Sequence, residues 1–341
     1  MREVALAERY QEVRRFTEEL CRPLAAEDYV VQSMPDCSPA KWHLAHVTWF
    51  FETFIAAPNL AAYEPIDSRY GFLFNSYYET VGDRHPRPKR GLLSRPTVEE
   101  TYAYRRHVDR AMQRLLDGGV EPLEWLVTLG LHHEQQHQEL ILTDFKHMFG
   151  WSSLHPVYTA RDVPAARSAA PLEWHEFAGG LAWVGHDGSG FAFDNECPRH
   201  QHFLQPFELA SRPVTNGEFL EFMRDGGYSQ PRLWLSAGWA TVQEQGWRAP
   251  LYWQERDGTW WNFTLSGLRP VDAAEPLTHV SYFEADAYAH WAGARLPLEA
   301  EWELAAADVP VDGNFVESGC FHPMPAPGGS GLQQMFGDVW E

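Results

Sequence analysis

The sequence predicts a chain in two parts, an all-helical bundle followed by an irregular α+β domain. Three observations predict this. Before residue 151, four stretches repeat apolar residues at helical spacing. Residues 151–173 break the pattern with Pro156, Pro164, Pro171 and the run Ala165-Ala166-Arg167-Ser168-Ala169-Ala170, which reads as an extended linker. From Trp174 onward the chain is rich in Gly, Pro and Trp, with short aromatic runs in place of long amphipathic ones. A chain of 341 residues is long enough for two cores. The boundaries read as 1–150, a linker over 151–173, and 174–341.

The first helix is expected over 3–22. The second, over 39–57, opens at Ser38-Pro39, an N-cap followed by proline at the first helical position, and runs through Trp49, Phe50 and Phe54. The third, over 98–117, starts at a capping box of Thr97 and Glu100, carries the stripe Tyr104, Val108, Met112 and Leu115, and stops at Gly118-Gly119. The fourth, over 122–149, has Pro122 in its first turn, apolar faces from Leu123, Leu126, Val127, Leu131, Leu140 and Ile141, and Gly150 as its stop. Together they predict a four-helix bundle whose long connection, 58–96, is aromatic and basic; loops of that length usually serve a site. In the second domain Leu181-Ala182-Trp183-Val184 reads as a strand, and two helices are clear, near 215–225 and 282–293.

Composition excludes some classes of function. With 44% hydrophobic and 22% charged residues the chain is that of a globular protein, and its formal charge of −20 argues against nucleic-acid binding. The sign reverses only locally, at Arg84-His85-Pro86-Arg87-Pro88-Lys89-Arg90. Acidic residues interrupt the N-terminal stretch where a secretory signal needs a continuous apolar run, and no later run is long enough to span a bilayer. A cytoplasmic location without a membrane partner is expected. Cys21, Cys37, Cys197 and Cys320 are scattered, as reduced thiols would be.

His133-Glu134-Gln135-Gln136-His137 carries the chemistry. Two histidines four residues apart on a helix lie on one face, close enough to share a metal. The pentapeptide matches the H-E-x-x-H zinc protease signature, with Glu134 as the would-be general base. A protease also needs a third ligand. Leu140 stands where the extended signature has Gly, and no Glu occurs between Glu139 and Glu173. A metal site survives that test better than a protease does. A histidine from Trp42-His43-Leu44-Ala45-His46 on the second helix can supply the third ligand; the alternative is polar residues on a partly exposed helix face.

Taken together these motifs resemble the hercynine oxygenases, the iron-dependent sulfoxide synthases of ergothioneine biosynthesis. Leu44-Ala45-His46 and the His133–His137 motif resemble that family's three-histidine iron site on a DinB-like four-helix bundle. Phe74-Asn75-Ser76-Tyr77-Tyr78 and Arg87-Pro88-Lys89-Arg90-Gly91-Leu92-Leu93 resemble its intervening loop. Pro213-Val214-Thr215-Asn216-Gly217-Glu218-Phe219, His279-Val280-Ser281-Tyr282 and Ala294-Arg295-Leu296-Pro297-Leu298-Glu299-Ala300-Glu301-Trp302-Glu303 resemble the formylglycine-generating-enzyme domain, a C-type-lectin-like fold.

The resemblance implies Fe(II) held by His46, His133 and His137, with His43 and His132 as structural neighbours. It implies that a cysteine-containing thiol, γ-glutamylcysteine or cysteine, is joined to the imidazole of hercynine at the expense of O2, leaving a sulfoxide. Gln136 becomes a candidate partner for the hercynine imidazole. Arg87 and Arg90 become candidate clamps for the thiol's carboxylates, against the alternative of a solvated basic loop. Glu134 is expected to orient a neighbour. Cys197 and Cys320 form no evident copper pair. In the family, Gly337-Asp338-Val339-Trp340-Glu341 is followed by sequence that completes the C-terminal fold and supplies an active-site tyrosine, so the chain is expected to be a fragment with its catalytic residue beyond Glu341. The rival expectations are a related enzyme with a selenium or other thiol donor, an inactive binding remnant, and a zinc hydrolase.

Overall fold

The computed structural model describes residues 5–76, 78, 80–119, 121–160 and 168–341. The chain forms two compact units, Met1–Thr159 and Ala160–Glu341. Tyr77, Glu79 and 161–167 of the expected linker lie outside the described residues, as do the first residues of the expected 3–22 helix.

Four long helices build the first unit: α1 (Leu6–Cys21), α2 (Ala40–Phe51), α5 (Val98–Asp117) and α6 (Glu124–Trp151). The connection from α2 to α5 holds the short helices α3 (Ala57–Asn59) and α4 (Tyr70–Leu73) and a 3-10 turn, Arg87–Leu92. Every residue of α2 is buried. A helix buried on every face belongs in the centre of a bundle, and α2 packs against both α5 and α6, with the polar side chains of Lys41, His43, His46 and Thr48 enclosed along with its apolar ones. Trp49, Phe51, Tyr104, Val108, Met112, Val127 and Leu131 fill the core between them.

α5 opens with the Thr97/Glu100 capping box that the sequence predicts. α2 opens differently. Pro39 is its N-cap, and the Ser38 hydroxyl is spent on Arg90, 2.9 Å away, instead of on the helix end. α6 runs through Gly150 to Trp151, so that glycine does not stop it. After Phe51 the α2 ladder widens into a π-helical turn, Glu52–Ala56, whose buried Glu52 accepts the hydroxyls of Tyr63 and Tyr104.

Gly130 sets the approach of α2 to α6. A Cβ at that position would lie 2.7 Å from the Phe51 ring and 2.9 Å from the Phe50 ring. Only the missing side chain lets the two helices come this close. The connecting loop is then pinned across the start of α2. The Trp42 indole donates to the Leu73 carbonyl, Lys41 Nζ to the Leu93 carbonyl, and Asn75 to the carbonyls of Tyr78 and Gly82.

The second unit is built from short antiparallel pieces: β1 (Trp174–Phe177) with β4 (Phe207–Ala210), β2 (Gly180–Val184) with β3 (His200–Leu204), and the meander β5 (Trp253–Arg256), β6 (Thr259–Thr264), β7 (Gly267–Pro270). The two expected helices are α7 (Asn216–Arg224) and α9 (Tyr282–Trp291), each opened by a capping box, Thr215/Glu218 and Ser281/Glu284. Two more helices correct the count, α8 (Ser236–Gln245) and α10 (Glu299–Ala306). Both follow a leucine, which offers no capping oxygen. α8 also contains Gly238, a poor helix former that lets the Phe283 side chain pack where an added Cβ would lie 2.6 Å from the Phe283 Cβ. Phe219, Phe222, Tyr228, Trp234 and Val242 form one core of this unit. Among the described residues no helix is long and apolar enough to cross a membrane.

Candidate metal centre

His133 and His137 lie one turn apart on α6 and face His46 on α2. Their ring centroids form a near-equilateral triangle: 5.0 Å from His46 to His133, 4.8 Å from His46 to His137 and 4.7 Å from His133 to His137. One nitrogen from each comes within 4.8 Å of the other two, so the three can share an ion.

The hydrogen bonding of the ring nitrogens suits that role. His46 Nδ1–H donates to the Phe74 carbonyl at 2.6 Å, which leaves Nε2 with its lone pair. His137 Nδ1 is 2.8 Å from His43 Nδ1, and His43 Nε2 is 2.9 Å from Asp144 Oδ2. His133 Nδ1 is buried without a hydrogen-bond partner. A buried nitrogen left unpaired is costly unless something outside the polypeptide meets it. A metal ion fits these donors.

Electrostatics favours the ligand-competent form of each ring. Burial is the main cause that pulls His46 and His137 well below the ordinary histidine range, with repulsion from the neighbouring imidazoles adding to it. The Phe74 carbonyl opposes the shift at His46 only in part. Burial lowers His133 to about 4 although the Glu134 carboxylate pulls the other way. All three are neutral at pH 7, as metal ligation requires.

Aromatic rings wall the cluster. Trp42 stacks on His46 with centroids 4.6 Å apart and 12° between planes, Trp49 lies along it at 5.6 Å, and Phe50 packs on His133 at 4.9 Å. Behind Trp42 sits Arg90, its guanidinium 3.4 Å from the indole centroid, with Nη1 and Nη2 donating to the Ser38 and Ser76 hydroxyls at 2.9 and 3.0 Å. Arg90 is buried, one aromatic layer away from His46. Arg87 is half-buried and donates to the Asp36 carbonyl. Gln136 is exposed on α6, between His133 and His137 in sequence.

Glu134 is fully buried between two arginines. Arg14 Nη1 meets Oε2 at 2.8 Å, Arg105 Nη2 meets Oε1 at 2.5 Å, and the Thr17 hydroxyl donates to Oε1 at 2.7 Å. Burial alone would raise its carboxyl; the two guanidinium groups overcome that and bring it to about 2. A carboxylate so fully engaged neither orients a water nor takes a proton near pH 7. The H-E-x-x-H protease reading loses its base, and Glu134 becomes the knot that ties α6 to α1 and α5.

Sequence reasoning missed Asp144 and Trp42 and left His43 without a stated partner. Asp144 is seven residues after His137, hence on the same face of α6, and that spacing is the signal that could have found it. In the second unit Cys197 is exposed and Cys320 half-buried, both as free thiols. Three neutral imidazoles leave an ion with open coordination positions, and imidazole suits iron, zinc, copper and nickel.

The chain matches two family models, the DinB superfamily over residues 9–141 and the sulfatase-modifying factor enzyme 1-like domain over residues 173–319. It is 38% identical over 237 residues to a hercynine oxygenase of Mycolicibacterium smegmatis, covering 62% of this chain and 54% of the relative. It is 32% identical over 337 residues to a hercynine oxygenase of Mycolicibacterium thermoresistibile, covering 90% of this chain and 72% of the relative. A formylglycine-generating enzyme of Streptomyces coelicolor is 34% identical over 168 residues, 44% of this chain and 52% of that protein. The chain thus spans about half the length of the first of these relatives and nearly three quarters of the second.

Proposed function

Because the chain belongs to the hercynine oxygenase family, at 32% identity along 72% of one member, we propose that it is an Fe(II)- and O2-dependent enzyme that joins the sulfur of a cysteine-containing thiol to the imidazole of hercynine. The observation that carries the proposal is the triangle of neutral histidines, His46, His133 and His137, with one buried nitrogen unpaired. Ferrous iron bound there would supply open positions for small ligands and the redox chemistry that couples them to dioxygen.

The chain's own residues hold and shape the site. Trp42 and Trp49 flank buried His46, and Phe50 covers part of His133. Gln136, exposed beside His137, is the group we assign to the hercynine imidazole, since its amide can donate to one ring nitrogen or accept from the other. Arg87 is the stronger candidate for a thiol's carboxylate. Its guanidinium can meet a carboxylate through two parallel N–H donors, and its side chain is only half-buried. Arg90 is committed to Ser38, Ser76 and the face of Trp42, so its contribution is to hold that wall in place.

The balanced reaction takes hercynine, thiol and one O2 to the sulfoxide and one water. Protein loaded anaerobically with ferrous iron, then given hercynine, γ-glutamylcysteine or cysteine, and oxygen, should consume oxygen only when both organic substrates are present. The product mass should equal the two substrates plus one oxygen atom less two hydrogens. Iron-loaded protein that consumes no oxygen with either thiol would overturn the proposal.

A further inference from the structure

Asp144 touches none of the three clustered histidines, yet its hydrogen bonds determine which nitrogen of His137 is offered outward. Its Oδ2 accepts the Ser38 backbone N–H at 2.8 Å and lies 2.9 Å from His43 Nε2. A carboxylate oxygen only accepts, so His43 carries its proton on Nε2. In neutral His43 the other nitrogen, Nδ1, then holds a lone pair. With a single proton on His43, the proton in the 2.8 Å contact between His43 Nδ1 and His137 Nδ1 comes from His137. His137 Nε2 is left with its lone pair exposed to the cluster.

We propose that Asp144 and His43 are positioning residues for the metal centre, a two-step relay that locks the tautomer and ring orientation of His137 before any ion arrives. The relay rests on the metal reading given above. His46 reaches the same state by an independent route through the Phe74 carbonyl, so two of the three donors are preset. The arrangement is extended by one imidazole relative to a carboxylate that bonds a metal-bound histidine directly. His43 is only 2% exposed and the Asp144 side chain 14%, so water offers limited competing hydrogen bonding to the relay.

A purely structural role for Asp144, tying the start of α2 to α6 through Ser38, predicts lost stability and nothing more. The relay predicts a tautomer and a pattern of metal affinities. Long-range ¹⁵N–¹H spectra of the metal-free chain should show His137 protonated on Nδ1. With Co(II) as the probe ion, Asp144→Ala should weaken binding by about 10–100-fold, the usual cost of losing a group that supports a ligand. Asp144→Asn should restore most of it, because the Ser38 N–H holds the amide oxygen where it still accepts from His43. His43→Ala with Asp144→Ala should bind no more weakly than His43→Ala alone, since Asp144 acts only through His43. Thermal unfolding of each metal-free variant separates these effects from loss of fold, and Asp144→Asn carries the test should Asp144→Ala not fold. His137 protonated on Nε2, wild-type Co(II) affinity in Asp144→Ala, or additive losses in the double variant would each overturn the relay. A wild-type chain that takes up no Co(II) overturns the metal reading itself, and the tautomer measurement still decides the relay.

Discussion

Glu134→Gln is the substitution that separates a structural carboxylate from a catalytic one. The change keeps the shape of the side chain and removes its charge. Glu134 and Arg105 have no exposed side-chain surface and Arg14 has 4%, so two guanidinium groups lose their common counter-charge in a place water does not reach. Asp109 and Glu18 remain on Arg14 and Arg105, but both are partly exposed and each serves a single arginine. Removing one partner of a buried pair costs about 3–5 kcal/mol. With a urea slope of about 2 kcal/mol/M for a unit of this size, the midpoint of the helical unit should fall by roughly 1.5–2.5 M, read by circular dichroism.

The same carboxylate makes a pH prediction. Its folded value, about 2, lies below its ordinary 4.5, so its stabilising contribution is complete above about 4.5 and is lost as pH falls toward 2. Across that window the wild-type unit should lose on the order of 3 kcal/mol that the Gln variant has already lost. A Gln variant that unfolds at the wild-type midpoint while losing activity would refute this reasoning and return Glu134 to the role of a base.

Three further outcomes follow from the site. Replacing His46, His133 or His137 by Ala should each abolish stoichiometric binding of a first-row metal ion in equilibrium dialysis, whereas His132→Ala should leave it within a few-fold, because His132 is not one of the clustered donors. Metal binding should stay nearly flat from pH 8 to about 5 and collapse near 4, since burial holds His133 neutral down to about 4; release centred near 6.5 in a pH titration would show the rings to be solvent-exposed instead. Gly130→Ala should destabilise the first unit by about 1–3 kcal/mol and weaken metal binding, because the added methyl meets the rings of Phe50 and Phe51 and pushes α2 from α6; denaturation alongside the dialysis assay checks both.

The parts of the fold that were legible in the sequence announce themselves locally. Capping boxes mark α5, α7 and α9, and the spacing of His133 and His137 is a property of one helix. What was illegible depends on partners far along the chain. Arg14 reaches Glu134 from 120 positions away, and nothing near residue 134 signals it. The Phe74 carbonyl that orients His46 is a backbone atom, invisible to any reading of side chains. Arg90 sits in a basic, proline-rich run whose composition reads as solvated, yet Ser38, Ser76 and Trp42 bury it. α8 and α10 escaped because their starts lack a hydroxyl or carboxamide cap.

The complete enclosure of α2 also bears on how the centre can change over time. A helix with a solvent face breathes by itself, whereas one surrounded on every side opens only when its neighbours release it. His46, the α2 member of the histidine cluster, therefore belongs to the slowest-opening part of the unit, and amide exchange there should track global unfolding. Substitutions within 40–51 have almost no free volume to occupy. Adjustment of the histidine cluster is thereby channelled into the loop between α2 and α5, whose backbone grips His46 at Phe74 and whose Arg90 leans on the wall beside it: the helix keeps the address fixed while the loop remains open to revision.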